Sequence, residues 1–214
     1  MLKLMSQGGP LMWLILLNAI IALAIFVEKF FHFHRAQINA GDFVNGICNA
    51  LRRGNVSETV ALCDDTPGPV AQVVKAGILN GDRSREDIRE AMEDAARLEI
   101  ARLERRLVAI ATIAQITPLL GFLGTVIGMI QMFKVIQEAT LPSPGQLAGG
   151  IWQALYASAG GLTVAIPAYI AYNYLVSRVQ NLVLDMEKAA NALLTFLTRR
   201  EPAERALEPP VPVK

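Results

Sequence analysis

The stretch LVAIATIAQITPLLGFLGTVIGMIQMF, residues 107–133, runs for 27 positions without a charged side chain. About 20 predominantly apolar residues are enough for a helix to cross the hydrocarbon of a bilayer, so this stretch spans with length to spare. Two others pass the same test: residues 4–27, with 24 uncharged positions, and the 39 positions between Glu138 and Arg178. The 214-residue chain is 53% hydrophobic and only 18% charged, and its 20 Lys+Arg nearly balance 19 Asp+Glu. A soluble domain carries about 25% charged residues, and a nucleic-acid binder shows a basic excess. Both classes are excluded. The sequence predicts an all-α integral membrane protein with three transmembrane helices, the second and third extending into a cytoplasmic helical bundle.

Ala22-Leu23-Ala24 imitates a signal-peptidase site, but the apolar run continues to Val27, and Gly8-Gly9-Pro10 separates it from Lys3. The first segment therefore reads as a retained anchor. Basic residues close to span ends set orientation. Lys29 and Arg35 follow the first span, Arg97, Arg102, Arg105 and Arg106 precede the second, and Arg178, Lys188, Arg199 and Arg200 follow the third. The connection 138–146 has neither Lys nor Arg. The N-terminus is expected outside, and the large loop and C-terminus inside. The expected divisions are an outer N-terminus 1–10, spans at 11–27, 107–137 and 147–177, a cytoplasmic domain 28–106, an outer loop 138–146, a cytoplasmic helix extension 178–200 and a disordered tail 201–214.

Turn residues cut the loop into short helices at 42–53, 57–64 (opened by a Ser57 cap) and 70–79, with Thr66-Pro67-Gly68-Pro69 as a firm break. None is long enough to be stable alone, so each should pack on a neighbour. Ser84, with Asp87 three residues on, opens a longer helix. Its apolar stripe Ile88, Met92, Ala96, Ile100, Leu103 and Leu107 leads into the second span without a breaker. One helix over 84–137 is expected, about 80 Å long. Leu182, Met186, Ala189, Leu193 and Leu197 extend the third span in the same way. Cys48 and Cys63 lack the spacing of a metal site or disulfide scaffold and read as reduced thiols. His32 and His34 alternate with Phe31 and Phe33, an interfacial collar rather than a ligand pair. No Walker loop, GxSxG or HExxH is present. No cofactor, no enzymatic activity and no nucleic-acid partner are expected.

The second and third spans are two-faced. On a helical wheel Thr117, Gly121, Gly124, Thr125 and Gly128 share one arc, opposite Leu119, Phe122, Leu123, Val126, Ile127, Ile130 and Phe133. In the third span Gly150, Ala154, Ala157, Ser158, Gly161, Ala165 and Ala168 share a face, and Gln153 lies at its edge, about 140° from Ser158. Small faces permit close helix packing in lipid. The hydroxyls either bond back to their own helix or line a narrow hydrated path, which would turn both small faces toward a central cavity. Pro118 and Pro167 read as kinks. Neither helix contains Asp, Glu, His or Lys through 108–133 or 139–177. A proton relay inside a membrane needs a titratable group, so this chain is not itself the proton acceptor there.

The stretches Thr117-Pro118-Leu119-Leu120-Gly121-Phe122-Leu123-Gly124-Thr125-Val126-Ile127-Gly128-Met129 and Gly150-Ile151-Trp152-Gln153-Ala154-Leu155-Tyr156-Ala157-Ser158-Ala159-Gly160-Gly161-Leu162, the latter followed by Val164-Ala165-Ile166-Pro167-Ala168 and Tyr172-Asn173, resemble the span signatures of the ExbB/TolQ/MotA proton-channel family. The three-span layout is most similar to ExbB and TolQ. The resemblance implies a ring in the bacterial inner membrane, typically a pentamer. The ring would surround ExbD/TolR-like single-span partners with a mid-membrane Asp, and a TonB/TolA-like protein would be the load. By position, the family's two threonines fall on Thr125 and Ser158, and its third-span glutamate on Gln153, which does not titrate. The pathway residues implied are Thr125, Ser158, Gln153 and Thr117, with Gly121, Gly124, Gly128, Gly150 and Gly161 in close packing. A non-conducting membrane scaffold and a Na+-coupled channel of the same build are the alternatives.

Overall fold

The computed structural model describes residues 9–36, 39–138 and 143–205. These form α1 (Pro10–Ala36), α2 (Ala40–Arg52), α3 (Val56–Asp65), α4 (Pro69–Leu79), α5 (Arg85–Glu104), α6 (Leu107–Glu138) and α7 (Pro144–Arg205). No strand occurs among the described residues. Three helical stretches are long and apolar enough to cross a membrane, within Pro10–Phe33, Arg85–Glu138 and Leu147–Thr198. The all-α, three-span architecture is as expected. The described residues fall into two compact units, divided after Phe30, Arg105 and Val176.

In the apolar unit, α1, α6 and the first part of α7 meet around Ala22, Ile113, Ala114 and Ala168. Small residues at the crossing let three backbones approach without a hydrophobic driving force. The outward faces are bulky, with Leu23, Leu119, Phe122, Ile130 and Phe133 all exposed. Aromatic residues cluster toward both ends of the apolar part of α7: Trp152 against Tyr156 at 4.7 Å, and Tyr174 stacked on Phe30 at 6.1 Å. Amphipathic rings favour the depth where hydrocarbon meets water. Helices α6 and α7 continue through Pro118 and Pro167.

The other unit is held by ordinary hydrophobic burial. Ile47 of α2, Val70, Val73 and Val74 of α4, Ile88 and Met92 of α5, and Met186 and Leu193 of α7 are all within 2% of full burial. The short helices therefore do pack on each other and on the long one. Gly54 (φ 78°) and Gly68 (φ 126°) turn the chain between α2 and α3 and into α4, in backbone regions that L side chains rarely adopt. Lys75 donates to Asp64 at 2.5 Å, tying α4 to the end of α3, and the Arg52 guanidinium lies over the Phe196 ring. Cys48 and Cys63 are free thiols. Burial, then the Asp64 carboxylate, pushes the Cys63 thiol up to about 11, against the pull of Lys75.

Several expected boundaries move. Helix α2 begins at Ala40 rather than 42, as the Asn39 amide donates to the Asp42 carboxylate at 2.7 Å. Ser57 does not cap α3. The turn at Gly54 puts the cap position two residues earlier, at Asn55, whose amide donates to Glu58 at 2.7 Å. Ser84 does cap α5, accepting from the Asp87 N–H at 3.2 Å. The single helix expected over 84–137 is interrupted at Arg105 and Arg106. Arg105 keeps helical angles (φ −48°, ψ −39°), while Arg106 is drawn into an ion pair with Glu28. Helix α1 runs past 27 to Ala36, and α7 runs past 200 to Arg205. Pro202 removes one backbone donor close to a helix end, and Ala203-Glu204-Arg205 favours helix. Residues 1–8, 37–38, 139–142 and 206–214 and the side chains of His34, Ala36, Gln146 and 199–205 lie outside the described residues, and with them parts of the expected outer segments and tail.

Leu193→Ala should lower unfolding stability by about 2–5 kcal/mol, whereas Leu98→Ala, on an exposed side chain, should change it by less than about 0.5 kcal/mol. Chemical denaturation of both variants in detergent gives the comparison. The Cys63 thiol protonates more readily folded than unfolded, so its stabilising effect is complete below its ordinary value of 9.0 and is lost as pH rises toward about 11. Stability measured between pH 8 and 11 should fall, and Cys63→Ala should flatten that fall.

Candidate functional site

The small faces of α6 and α7 close on each other. A Cβ on Gly161 would stand 2.8 Å from the Thr117 carbonyl oxygen and 2.9 Å from Gly121 Cα. One on Gly124 would reach Ala157 Cβ at 2.3 Å, and one on Gly128 would reach the Gly150 carbonyl and Ala154 Cβ, each at 2.8 Å. Gly150 in turn faces the Gly128 carbonyl and Met132. The partners step in opposite directions, 121 with 161, 124 with 157 and 128 with 154, which is the register of an antiparallel pair. At these separations nothing larger than the Ala154 and Ala157 methyl groups fits between the backbones.

That approach brings together two hydroxyls that the sequence placed on separate helices. Thr125 Oγ1 and Ser158 Oγ are 2.5 Å apart. Around them lie the Gly121 carbonyl, 3.3 Å from both hydroxyls, and the Ala154 carbonyl, 3.5 Å from Thr125. Both side chains are half-buried, at the rim of the seam. Of the two expected alternatives, back-bonding within a helix is seen at Thr125, which reaches the Gly121 carbonyl of its own helix, while Ser158 reaches the same carbonyl across the seam. The seam is closed by small residues, and only its rim, with these hydroxyls, keeps partial exposure.

The other two polar positions stand elsewhere. Thr117 is fully buried and donates to the Ile113 carbonyl of its own helix at 2.6 Å. Gln153 is half-buried and lies on the Gly9 backbone, where an added Cβ would meet its Nε2 at 2.6 Å. Gly9 has φ 73°, so this close approach falls where glycine is favoured on two counts. Among the described residues no cluster of His, Cys, Asp and Glu could hold a metal, and no buried side-chain oxygen or nitrogen lacks a hydrogen-bond partner. Chemically, the arrangement offers hydroxyls and carbonyls for hydrogen bonding and no group that titrates. The direct Thr125–Ser158 contact was not foreseen. The signal was there in the two small-residue repeats, which fix the register once laid antiparallel.

Gly161→Ala should separate α6 from α7, because backbone atoms stand in its way, and cost about 1–3 kcal/mol. Gly149→Ala meets open space and should be neutral or gain up to about 1 kcal/mol of helix propensity. Thermal unfolding of the two variants in one detergent reads the difference.

A model of the MotA/TolQ/ExbB proton channel family matches residues 65–188, which take in α4 to α6 and most of α7. The biopolymer transport protein ExbB of Aquifex aeolicus is 42% identical over 98 residues, 46% of this chain and 66% of that protein. The Tol-Pal system protein TolQ of Haemophilus influenzae is 38% identical over 110 residues, 51% of this chain and 48% of its own length. The chain thus spans two thirds or less of these relatives. The ExbB of Neisseria meningitidis is 27% identical over 208 residues, 90% of this chain and 94% of that protein. With three helices fit to cross a membrane and this match over more than half its length, the chain belongs to the MotA/TolQ/ExbB proton channel family.

Proposed function

We propose that this chain is the ring-forming subunit of an inner-membrane motor that surrounds ExbD/TolR-like single-span helices and couples proton flow to periplasmic work on a TonB/TolA-like load. The observation that carries the reading is the Thr125–Ser158 hydroxyl pair at the rim of two helices that hold no titratable group through their apolar segments. An intramembrane proton relay needs an ionisable side chain, so the partner contributes a mid-membrane Asp and this chain contributes the hydroxyls that hydrate and orient it. Gln153 adds a neutral amide off the hydroxyl face, and Thr117 stays within its own helix. Ring closure as a pentamer follows the resemblance. The relatives named for biopolymer transport and the Tol-Pal system support a transport role.

The topology belongs to the same proposal. With spans at 11–27, 107–137 and 147–177, the N-terminus is periplasmic and the 28–106 domain and C-terminus are cytoplasmic, a reading supported by the basic residues at the inner span ends and the Lys/Arg-free connection 138–146. A unit charge crossing about 100 mV releases about 2.3 kcal/mol, so a few protons suffice for a conformational step. Gln153, uncharged where the family carries glutamate, favours one other reading, a scaffold that assembles with partners and conducts nothing.

The protein alone in liposomes should show little proton conductance, and co-reconstitution with its single-span partner should create it. Thr125→Val keeps the side-chain shape, deletes the hydroxyl and should reduce that flux about tenfold or more, the cost of a lost hydrogen bond to a charged group, with assembly intact. Robust conductance from the isolated chain would overturn the proposal, and so would a current that survives loss of the partner's Asp. Silence in the assembled complex would establish the scaffold, and a current that follows sodium rather than pH would establish the Na+-coupled channel.

A further inference from the structure

In the unit built around α2 to α5, a cavity of about 340 Å³ is lined by His32, Arg35, Gly68, Glu99, Arg102 and Leu103, among others. Its charges do not cancel. Two guanidinium groups and an imidazole face one carboxylate, and Arg102 already holds that carboxylate, donating to Glu99 Oε1 at 2.6 Å. Arg35 has no ion-pair partner among the described residues. Gly68, with φ 126° and ψ 163°, leads into Pro69 and the first turn of α4, whose N-terminus no side chain caps. The cavity therefore presents positive charge to whatever enters it.

Its depth narrows the choice. The part of α1 apolar enough to span ends at Phe33, so His32 and Arg35 straddle the boundary where hydrocarbon gives way to water. Phe31, beside His32, leaves two thirds of its surface exposed and offers an apolar contact at the same level. A phosphodiester with apolar tails matches the charge and the depth. We propose that this cavity binds the headgroup of an anionic glycerophospholipid such as phosphatidylglycerol, with Arg35 and Arg102 on the phosphate. Basic pockets at the ends of spanning helices are suited to such headgroups.

Native mass spectrometry of the full chain in detergent, titrated with dioctanoyl phosphatidylglycerol or dioctanoyl phosphatidylcholine, tests the site without any partner or ion flux. Its outcome is therefore independent of the motor function proposed above. The anionic lipid should bind at least tenfold more tightly than the zwitterionic one. Arg35→Gln should weaken it about fivefold, and Arg35→Gln with Arg102→Gln about 25-fold. Arg53→Gln, outside the cavity, should change nothing, and Glu99→Gln, which removes the competing carboxylate, should strengthen binding. If the double variant does not fold, the opposite effects of Arg35→Gln and Glu99→Gln decide. Equal binding of the two lipids, unchanged affinity in Arg35→Gln, or displacement of the lipid by equimolar inorganic phosphate or polyglutamate would overturn the proposal.

Discussion

The apolar unit depends on how closely the backbones of α6 and α7 approach. Two helices in lipid gain nothing from leaving water, since both are already out of it, and they associate through van der Waals contact and hydrogen bonds. Gly121, Gly124 and Gly128 against Gly150, Ala154, Ala157 and Gly161 supply that contact with nothing larger than a methyl group between. The hydroxyl pair follows from it. A bulkier residue anywhere along the seam would move Thr125 and Ser158 out of hydrogen-bond reach. The polar chemistry of the unit thus rests on residues that have no chemistry of their own.

The other unit obeys a different rule. Its helices leave water on folding, so long aliphatic side chains do the work that glycines do in the apolar unit. Met186, Ala189 and Leu193 of α7 pack with Ile88 and Met92 of α5 and with the valines of α4. Helix α7 therefore changes its packing code along its length, small residues before Val176 and large ones after Leu182. The charge distribution changes with it, from an uncharged stretch to one bearing Arg178, Asp185, Glu187 and Lys188.

Periodicity and charge made most of this legible. Three spans, the stripe on α5, the α4 boundaries set by Pro69 and Asn80, and the two-faced character of α6 and α7 could all be read from residue type and spacing. What could not be read was how neighbours compete for a residue. Arg106 belongs to the stripe's helix by pattern but pairs with Glu28, 78 positions away, and the helix is interrupted there. Ser57 looks like a cap, yet the turn at Gly54 gives the position to Asn55. At the site, the wheel showed which residues share a face, though not that the two faces would meet. Gln153, at the edge of the small face on the wheel, has a backbone neighbour, Gly9, which no local pattern could supply.

The hydroxyl pair has one more property. Each oxygen carries a single proton and can accept from the other, so the pair has two arrangements. In one, Thr125 donates to Ser158 and Ser158 donates to the Gly121 carbonyl. In the other, Ser158 donates to Thr125, and Thr125 turns its proton to the carbonyl of Gly121 or Ala154. The two orders have nearly the same heavy-atom positions and opposite local dipoles. Exchanging them needs only rotation about two C–O bonds, with no helix movement and no net charge. The rim is thus a polarisable switch inside a rigid seam, able to reverse its field when a neighbouring charge appears or disappears.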